Sequence, residues 1–420
     1  MQTIIIGAGI AGLTVANELA KKGEKVLLLE KYNALGGRIA TYRDAKLKIQ
    51  YEIGAGRIHK DHKRVHALIK KYKLHSYPIS MEGALYKTET SESVLNSFPS
   101  FFEPIAKLLL KLPKSVLQTH TISELMEDLP NAFKQMLIKY PYYSEIHTMR
   151  ADLALQTFVD DGTMRSDGVN DFVGIVEGID SLTDHLAKEC EKNGVVIARR
   201  HKVQDIKPIQ SNMYIVAGQS GKKEEEEDFE YVCNRVIVAT CRCTAGDFAG
   251  LKDIDVFAKL ATEPLVRIYA IYPKESNGKV WFANIMDSHK VVSNNELRYV
   301  IPIDEKKGLI MISYTDGKDT DIWRKLEKDQ PKLESKINQC VYDLFGVKTK
   351  PTFLKAHVWP SGCTYWKPGH YDPIEESNKS LTPLKKYPNL HLVGESYSTN
   401  QAWIEGALEQ AEKLLEILRD

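Results

Sequence analysis

Apolar positions along this chain fall into distinct textures. The first thirty residues read as strand, turn, helix, strand. A β-branched run "TIIIG" precedes the turn "GAGIAG", then Leu13, Ala16, Leu19 and Ala20 keep helical spacing, and "KVLLLE" follows. That is a βαβ unit. From about His62 to Leu155 apolar residues recur three and four apart, in "VHALIKKYKL", "FEPIAKLLLKL", "TISELMEDL" and "NAFKQMLIKY". This spacing predicts a helical insertion, with Thr121 and Glu124 set as a capping box ahead of one helix. Near Gly178 the α/β texture returns. "SLTDHLAKECEKNG" predicts a helix closed by glycine and "VVIARRHKVQDIKPI" an extended segment. "MYIVAGQSGKKEEEEDFEYVCNRVIVAT" predicts strands around a charged hairpin tip at 224–228. Alternation in "EPLVRIYAIYP", "VWFANI", "LRYVIPI" and "LIMISYT" predicts a second sheet. The chain closes with a strand, "NLHLVGE", and a helix with Ile404, Leu408, Ala411, Leu415 and Leu418 on one face.

Composition narrows this picture more than it adds to it. A length of 420 residues exceeds one ordinary core, so two domains or one large domain with an insertion are expected. The formal charge of +1 gives no nucleic-acid footprint, and the basic stretch between His59 and Lys73 has the spacing of a solvated helix face. No apolar run approaches the ~20 residues of a membrane span. The N-terminal apolar run lacks a basic leader and flows into a glycine turn, so a signal peptide is not expected. Six scattered cysteines, with Cys241 and Cys243 too close for the usual zinc pair, fit a reducing, cytoplasmic setting without a metal site.

The chemistry sits in glycines. Gly7, Gly9 and Gly12 follow a strand and open a helix, and Glu30 ends the next strand about 20 residues on, the dinucleotide pattern. The first glycine makes the turn, the second admits a pyrophosphate, and the third lets helix and strand pack closely. The phosphate then sits on the free N–H groups of the helix start, at Ile10 and Ala11. NAD and FAD both satisfy this. A second cluster, "YEIGAGR", sets Gly54, Ala55 and Gly56 directly before Arg57. Glycines this dense after a strand let a backbone lie against something large.

The extension "EKYNALGGRIAT" resembles the FAD-dependent amine oxidase superfamily, which includes monoamine, polyamine and L-amino-acid oxidases. The resemblance continues in "VEGIDSLTDHLA", "HKVQDI", "NRVIVAT" and "LHLVGESYSTNQAWIEGALEQAEK", and is weakest through the helical insertion. It implies an α/β protein: a Rossmann-like FAD-binding domain with a mixed-sheet plus helical substrate domain. The FAD-binding parts are then 1–60, 176–245 and 381–420, with a helical insertion at 61–175 and a substrate sheet at 246–380. It implies noncovalent FAD, with Glu30 and Lys31 at the ribose, and Gly36, Gly37 and Arg38 around the diphosphate. Val203 meets the adenine, Gly394 and Glu395 the ribityl chain. Ala402, Trp403 and Ile404 bring a helix start to the flavin's pyrimidine edge.

In this family "GAGR" passes the flavin ring, and L-amino-acid oxidases carry an arginine there for the substrate's α-carboxylate. Arg57 holds that position; an internal carboxylate or FAD itself is its other available partner. The resemblance also implies an aromatic pair flanking the amine, Trp403 with Tyr371, and Tyr365 or Trp366 after it. His59 is a further candidate base. Cys363 lies near the monoamine oxidases' covalent attachment point, but its spacing to the glycine of "GHY" argues against a bond. In "PLVRIYAIY", Arg267 stands where the family carries a lysine that aids reaction with oxygen, so oxygen as acceptor is put in question. The implied activity is oxidation of an amine, foremost an L-amino acid, by hydride transfer to flavin N5, imine hydrolysis and peroxide release. Oxidation of an apolar substrate, as in protoporphyrinogen oxidases and carotenoid desaturases, and a flavin-binding partner module without turnover are the alternatives. Oligomeric state is open.

Overall fold

The computed structural model describes residues 2–79, 84–88, 92–95, 98–131, 133–135, 143–156, 171–210, 212–222, 225–287 and 289–419. Residue 132 and residues 136–140 of the segment "NAFKQMLIKY", and residue 224 of the charged tip, lie outside these.

A five-stranded, all-parallel sheet organises the first half of the fold. Its spatial order is Val196–Arg199, Lys25–Glu30, Gln2–Ile6, Arg235–Val238, Leu390–Leu392. Three stretches far apart in sequence therefore lie side by side. The central strands are almost wholly apolar because helices cover the sheet. The helix Ile10–Lys21 packs against Ser181–Lys192 and the C-terminal helix Ile404–Ile417, burying Leu13, Val15, Leu182, Leu186, Leu408 and Ala411 in one core.

Two glycines set how closely strand and helix meet. Gly7 has φ +104°, and a Cβ there would fall 2.8 Å from the Ala239 carbonyl oxygen. A Cβ on Gly12 would fall 2.0 Å from the Gly7 oxygen. Gly12→Ala should push the helix off the strand, destabilising the protein by about 1–3 kcal/mol and lowering its cofactor content together. Thermal melts and the content of bound dinucleotide check this.

The second sheet has seven strands, ordered Phe353–Trp366, Leu260–Ile271, Leu309–Asp316, Tyr299–Asp304, Lys290–Val292, Ala84–Lys87, Glu92–Leu95. Its register sets Arg267 opposite Tyr314 on one side and His357 on the other. Two expectations change here. "VWFANI" forms the helix Trp281–Met286, not a strand, with Trp281, Phe282 and Met286 buried. An apolar run this short has the same composition in a buried helix as in a strand. The insertion is also not purely helical. Helices form at Lys63–Tyr72, Phe98–Leu109 and Ile122–Leu125, the last with the Thr121–Glu124 capping box, but Ala84–Lys87 and Glu92–Leu95 extend the sheet.

Candidate active site

Between the two sheets lies a cavity of about 810 Å³, entered by the carboxyl ends of the parallel strands. The helix Ile10–Lys21 opens onto it. Gly9 caps this helix without a side-chain bond and its first turn holds no acid, so the N–H groups face the cavity with no internal anion to satisfy them. A side chain on Gly9 would meet no protein atom within 4 Å; that space is open. Glu30, nearly buried, accepts the Ala8 N–H at 2.8 Å and the Tyr32 N–H at 2.9 Å. Burial pushes its carboxyl above the ordinary range while these backbone bonds oppose the shift.

Gly36 and Gly37 continue the rim, the Gly36 N–H donating to the Ala8 oxygen at 2.9 Å. Arg38 then crosses to the last segment of the chain. Its Nη2 lies 2.5 Å from Glu395 Oε2, and its Nη1 donates to the Gly362 oxygen at 3.2 Å. Glu395 is buried, and its other oxygen accepts the Ala402 N–H at 2.5 Å. This holds Ala402 at φ +66°, a costly conformation for a non-glycine residue, just before the start of the C-terminal helix. An open glycine rim, an uncapped helix start, an acid at the strand end and a half-buried arginine together fit a dinucleotide.

Arg57 lines the same cavity. Its guanidinium carbon lies 4.6 Å from the Phe172 ring centre and 5.7 Å from that of Trp403, two rings only 13° from parallel. A planar cation held on aromatic faces is preorganised to present its edge. The loop carrying it is tied down from the far side. Glu405, in the first turn of the C-terminal helix, accepts the Arg64 and Val65 N–H groups at 3.1 Å and so caps the helix Lys63–Tyr72. His62 stands edge-on to Trp403 at 4.9 Å. Burial, with the charges of neighbouring His59, His66 and Arg57, lowers its pKa to about 3, so it is neutral.

Two lining carboxylates escaped the sequence reading. Glu145, in the short helix Glu145–Thr148, has its pKa pushed up to about 8, first by burial and then by Asp316, against the opposing charge of Arg57. Its Oε1 accepts no hydrogen bond among the described residues. Asp316 is raised to about 6 by burial, although the Ser144 N–H and hydroxyl donate to its Oδ2 at 2.9 and 2.8 Å. Tyr143, Tyr314 and Tyr365 line the space around them. Nothing in "SEIHT" or "SYTDG" marks these acids, which read as a helix face and a strand-end turn.

These shifts predict a pH dependence of stability. Between the ordinary value of 4.5 and about 8, the folded protein keeps a proton on Glu145 that the unfolded chain has released. Stability must therefore fall as pH rises through that window, by up to ~1.4 kcal/mol per pH unit and group. Asp316, and Glu52 with its pKa raised to about 7 by burial, act in the same direction. Glu145→Gln should flatten the upper part of the curve, as read by denaturant melts of cofactor-free protein between pH 5 and 8.

Most of the anticipated residues converge on the cavity: Gly7, Gly9, Ile10, Ala11, Glu30, Lys31, the 36–38 and 54–57 stretches, Val203, Arg267, Gly394, Glu395 and 402–404 all line it. Gly12 does not; it serves packing. Tyr371 does not either, and this corrects its proposed place in an aromatic pair. The chain turns away after Trp366, the Tyr371 hydroxyl donates to the Lys367 oxygen, and its ring lies 4.8 Å from the buried Arg150 guanidinium. Of the two fallbacks, Tyr365 lines the cavity and the fully buried Trp366 does not. His59 is buried, accepts the Asp61 N–H at 3.2 Å and is not among the lining residues, which removes it as a base. Arg267 is packed over Tyr314 at 5.0 Å and donates to the Glu52 backbone oxygen at 3.2 Å. Cys363 lines the cavity as a thiol raised to about 12 by burial.

The sequence profile of an NAD(P)-binding Rossmann-like domain matches residues 5–72, and that of the flavin containing amine oxidoreductases matches residues 137–413. The chain belongs to the flavin-containing amine oxidoreductases. It is thus an oxidoreductase, and its cofactor is FAD. It shares its fold with putrescine oxidase bound to putrescine (TM-score 0.75, 15% identity, 100% of both chains). Cyclohexylamine oxidase from Brevibacterium oxydans IH-35A matches with TM-score 0.74 and 15% identity, over 100% of this chain and 99% of that one. In sequence it is similar to an L-amino-acid oxidase of Mus musculus, 42% identical over 69 residues, 16% of this chain and 11% of that protein. An L-amino acid oxidase of Bothrops pictus is 29% identical over 150 residues, 34% of this chain and 30% of that protein. The matched segments thus span less than a third of these relatives. Among the described residues no helix of this flavin-containing amine oxidoreductase is long and apolar enough to cross a membrane, and no cluster of metal-ligating side chains occurs.

Proposed function

We propose that the protein oxidises an L-α-amino acid, and that Arg57 and Glu145 read the two charges of the zwitterion. The observation that carries this is that a guanidinium stacked on Phe172 and Trp403 lines one cavity with a buried carboxyl whose Oε1 has no hydrogen-bond partner among the described residues. Arg57 would grip the α-carboxylate bidentately and so orient the adjacent C–H. Glu145 in its ionised form would accept a proton from the incoming ammonium, leaving the neutral amine that oxidation requires; with a pKa near 8 that form grows as pH rises, so turnover should rise with pH through that value. Trp403 and Tyr365 would keep the amine dry.

In this reading FAD is held noncovalently, its diphosphate at the helix start of Ile10 and Ala11 and beside Arg38. Glu30 would meet the ribose, and the helix starting after Trp403 the pyrimidine edge. When bound, FAD supplies the two-electron oxidant, taking hydride from the carbon bearing the amine and returning the electrons to oxygen as peroxide. Hydrolysis of the resulting imine gives a 2-oxo acid and ammonia.

Partial likeness to L-amino-acid oxidases supports the substrate class, and the solved amine oxidases share only the fold. The test is a panel of L-amino acids, their decarboxylated amines, diamines and apolar alkenes, read by ammonia and peroxide release. Equal amounts of both products from amino acids are expected. Turnover of amines alone would reassign Arg57 to a structural role, and turnover of apolar alkenes would abandon the amine chemistry.

A further inference from the structure

The Cys241–Arg242–Cys243 segment has no part in the reading above, yet its first residue, Cys241, lies on the cavity wall. It follows the strand Arg235–Val238, whose carboxyl end, through Ala239, abuts Gly7. Cys241 and Ser361 line the cavity with Arg38, and both cysteines are half-buried rather than enclosed. Their sulfur atoms are 3.0 Å apart. Cys243 Sγ lies 2.7 Å from Ser361 Oγ, and Cys241 Sγ lies 3.3 Å from Thr244 Oγ1. The two thiols are thus paired with each other and each has a hydroxyl at its side.

We propose that Cys241 and Cys243 form a peroxide-responsive dithiol on the wall of the cofactor cavity, closing to an intramolecular disulfide and reopening with a thiol reductant.

The chemistry divides between the two sulfurs. The hydrogen bond from Cys243, aided by the charge of Arg38, holds the Cys241 thiol below its ordinary range, while the proton stays with Cys243. Cys190, Cys233 and Cys340 are buried, and their thiols and that of the half-buried Cys363 are raised to about 12. Nucleophilic character therefore concentrates on Cys241. Its thiolate attacks one oxygen of hydrogen peroxide, the O–O bond breaks, and the second oxygen leaves as hydroxide and becomes water. Cys241 is left as a sulfenic acid. Cys243 sulfur then attacks Cys241 sulfur, the S–O bond breaks, and the departing hydroxide takes the Cys243 proton as a second water. Two thiols and one peroxide give one disulfide and two waters: sulfur loses two electrons and peroxide gains them. A ring closed across a single residue departs from relaxed disulfide geometry, which favours reopening by exchange with a thiol.

The proposal does not depend on which amine is oxidised, because the test supplies peroxide as a reagent. FAD-loaded protein is treated with hydrogen peroxide, alkylated after denaturation, digested and mapped by mass spectrometry. The expected peptide carries Cys241 and Cys243 unalkylated and lacks two hydrogen atoms, while Cys190, Cys233, Cys340 and Cys363 are alkylated. Dithiothreitol should restore alkylation of both. In Cys243→Ser, peroxide should instead leave Cys241 as a sulfenic acid captured by dimedone; Cys241→Ser should yield neither product. Full alkylation of Cys241 and Cys243 in the peroxide-treated wild-type protein would overturn the proposal. So would a disulfide that joins Cys241 to Cys363.

Discussion

Arg38→Ala should yield protein purified without yellow colour. The substitution removes the cation beside Glu395, a carboxylate 6% exposed whose Oε2 then loses its closest partner. Deleting the partner of a fully buried charge costs about 3–5 kcal/mol, and the 30% exposure of Arg38 places this pair at or below the lower end of that range. The same change deletes a positive charge from the cavity rim next to the Gly9 helix start, where a diphosphate would lie. Loss of cofactor and loss of stability should therefore appear together, in the flavin absorbance ratio and in the melting temperature. Arg38→Lys should retain more of both than the alanine variant, yet less than wild type, since an ammonium cannot reach Glu395 and the Gly362 oxygen with the same fork.

Arg57→Ala should separate two classes of substrate. Two charge-assisted bonds at about 1.5–3 kcal/mol each imply a fall in kcat/KM of ~100-fold or more for L-amino acids. Decarboxylated amines lack the group that Arg57 would hold and should lose little. Arg57→Lys keeps the charge but not the bidentate edge or the stacking on Phe172 and Trp403, so amino-acid turnover should recover only in part. FAD content should stay near wild type in both variants, which distinguishes this effect from that at Arg38.

What could be read from sequence was whatever backbone geometry dictates. Gly7 and Gly12 have neighbours within 3 Å of where a Cβ would sit, so only glycine serves there and the motif is visible in the letters. The Glu30 strand end was legible from its spacing to these glycines, whereas the Gly36–Arg38 rim and the C-terminal helix start were legible only through the resemblance to the family. The substrate side was less legible, because it depends on side chains brought together by tertiary packing. Glu145 is an ordinary acid in a four-residue helix until Asp316, from a strand 171 positions later, is packed near it. Tyr371 sits in a segment that resembles the family's, yet the turn after Trp366 carries its ring out to Arg150. The helix Trp281–Met286 was misread as a strand because a six-residue apolar run carries no period long enough to decide.

The central claim is that the cavity selects a carboxylate next to the reacting amine. Anaerobic visible spectroscopy tests it most directly, comparing one L-amino acid with the amine formed by its decarboxylation at equal concentration. The account predicts that the amino acid bleaches the flavin band of the wild-type protein and the amine does not. Bleaching by the amine at an equal or faster rate would contradict it.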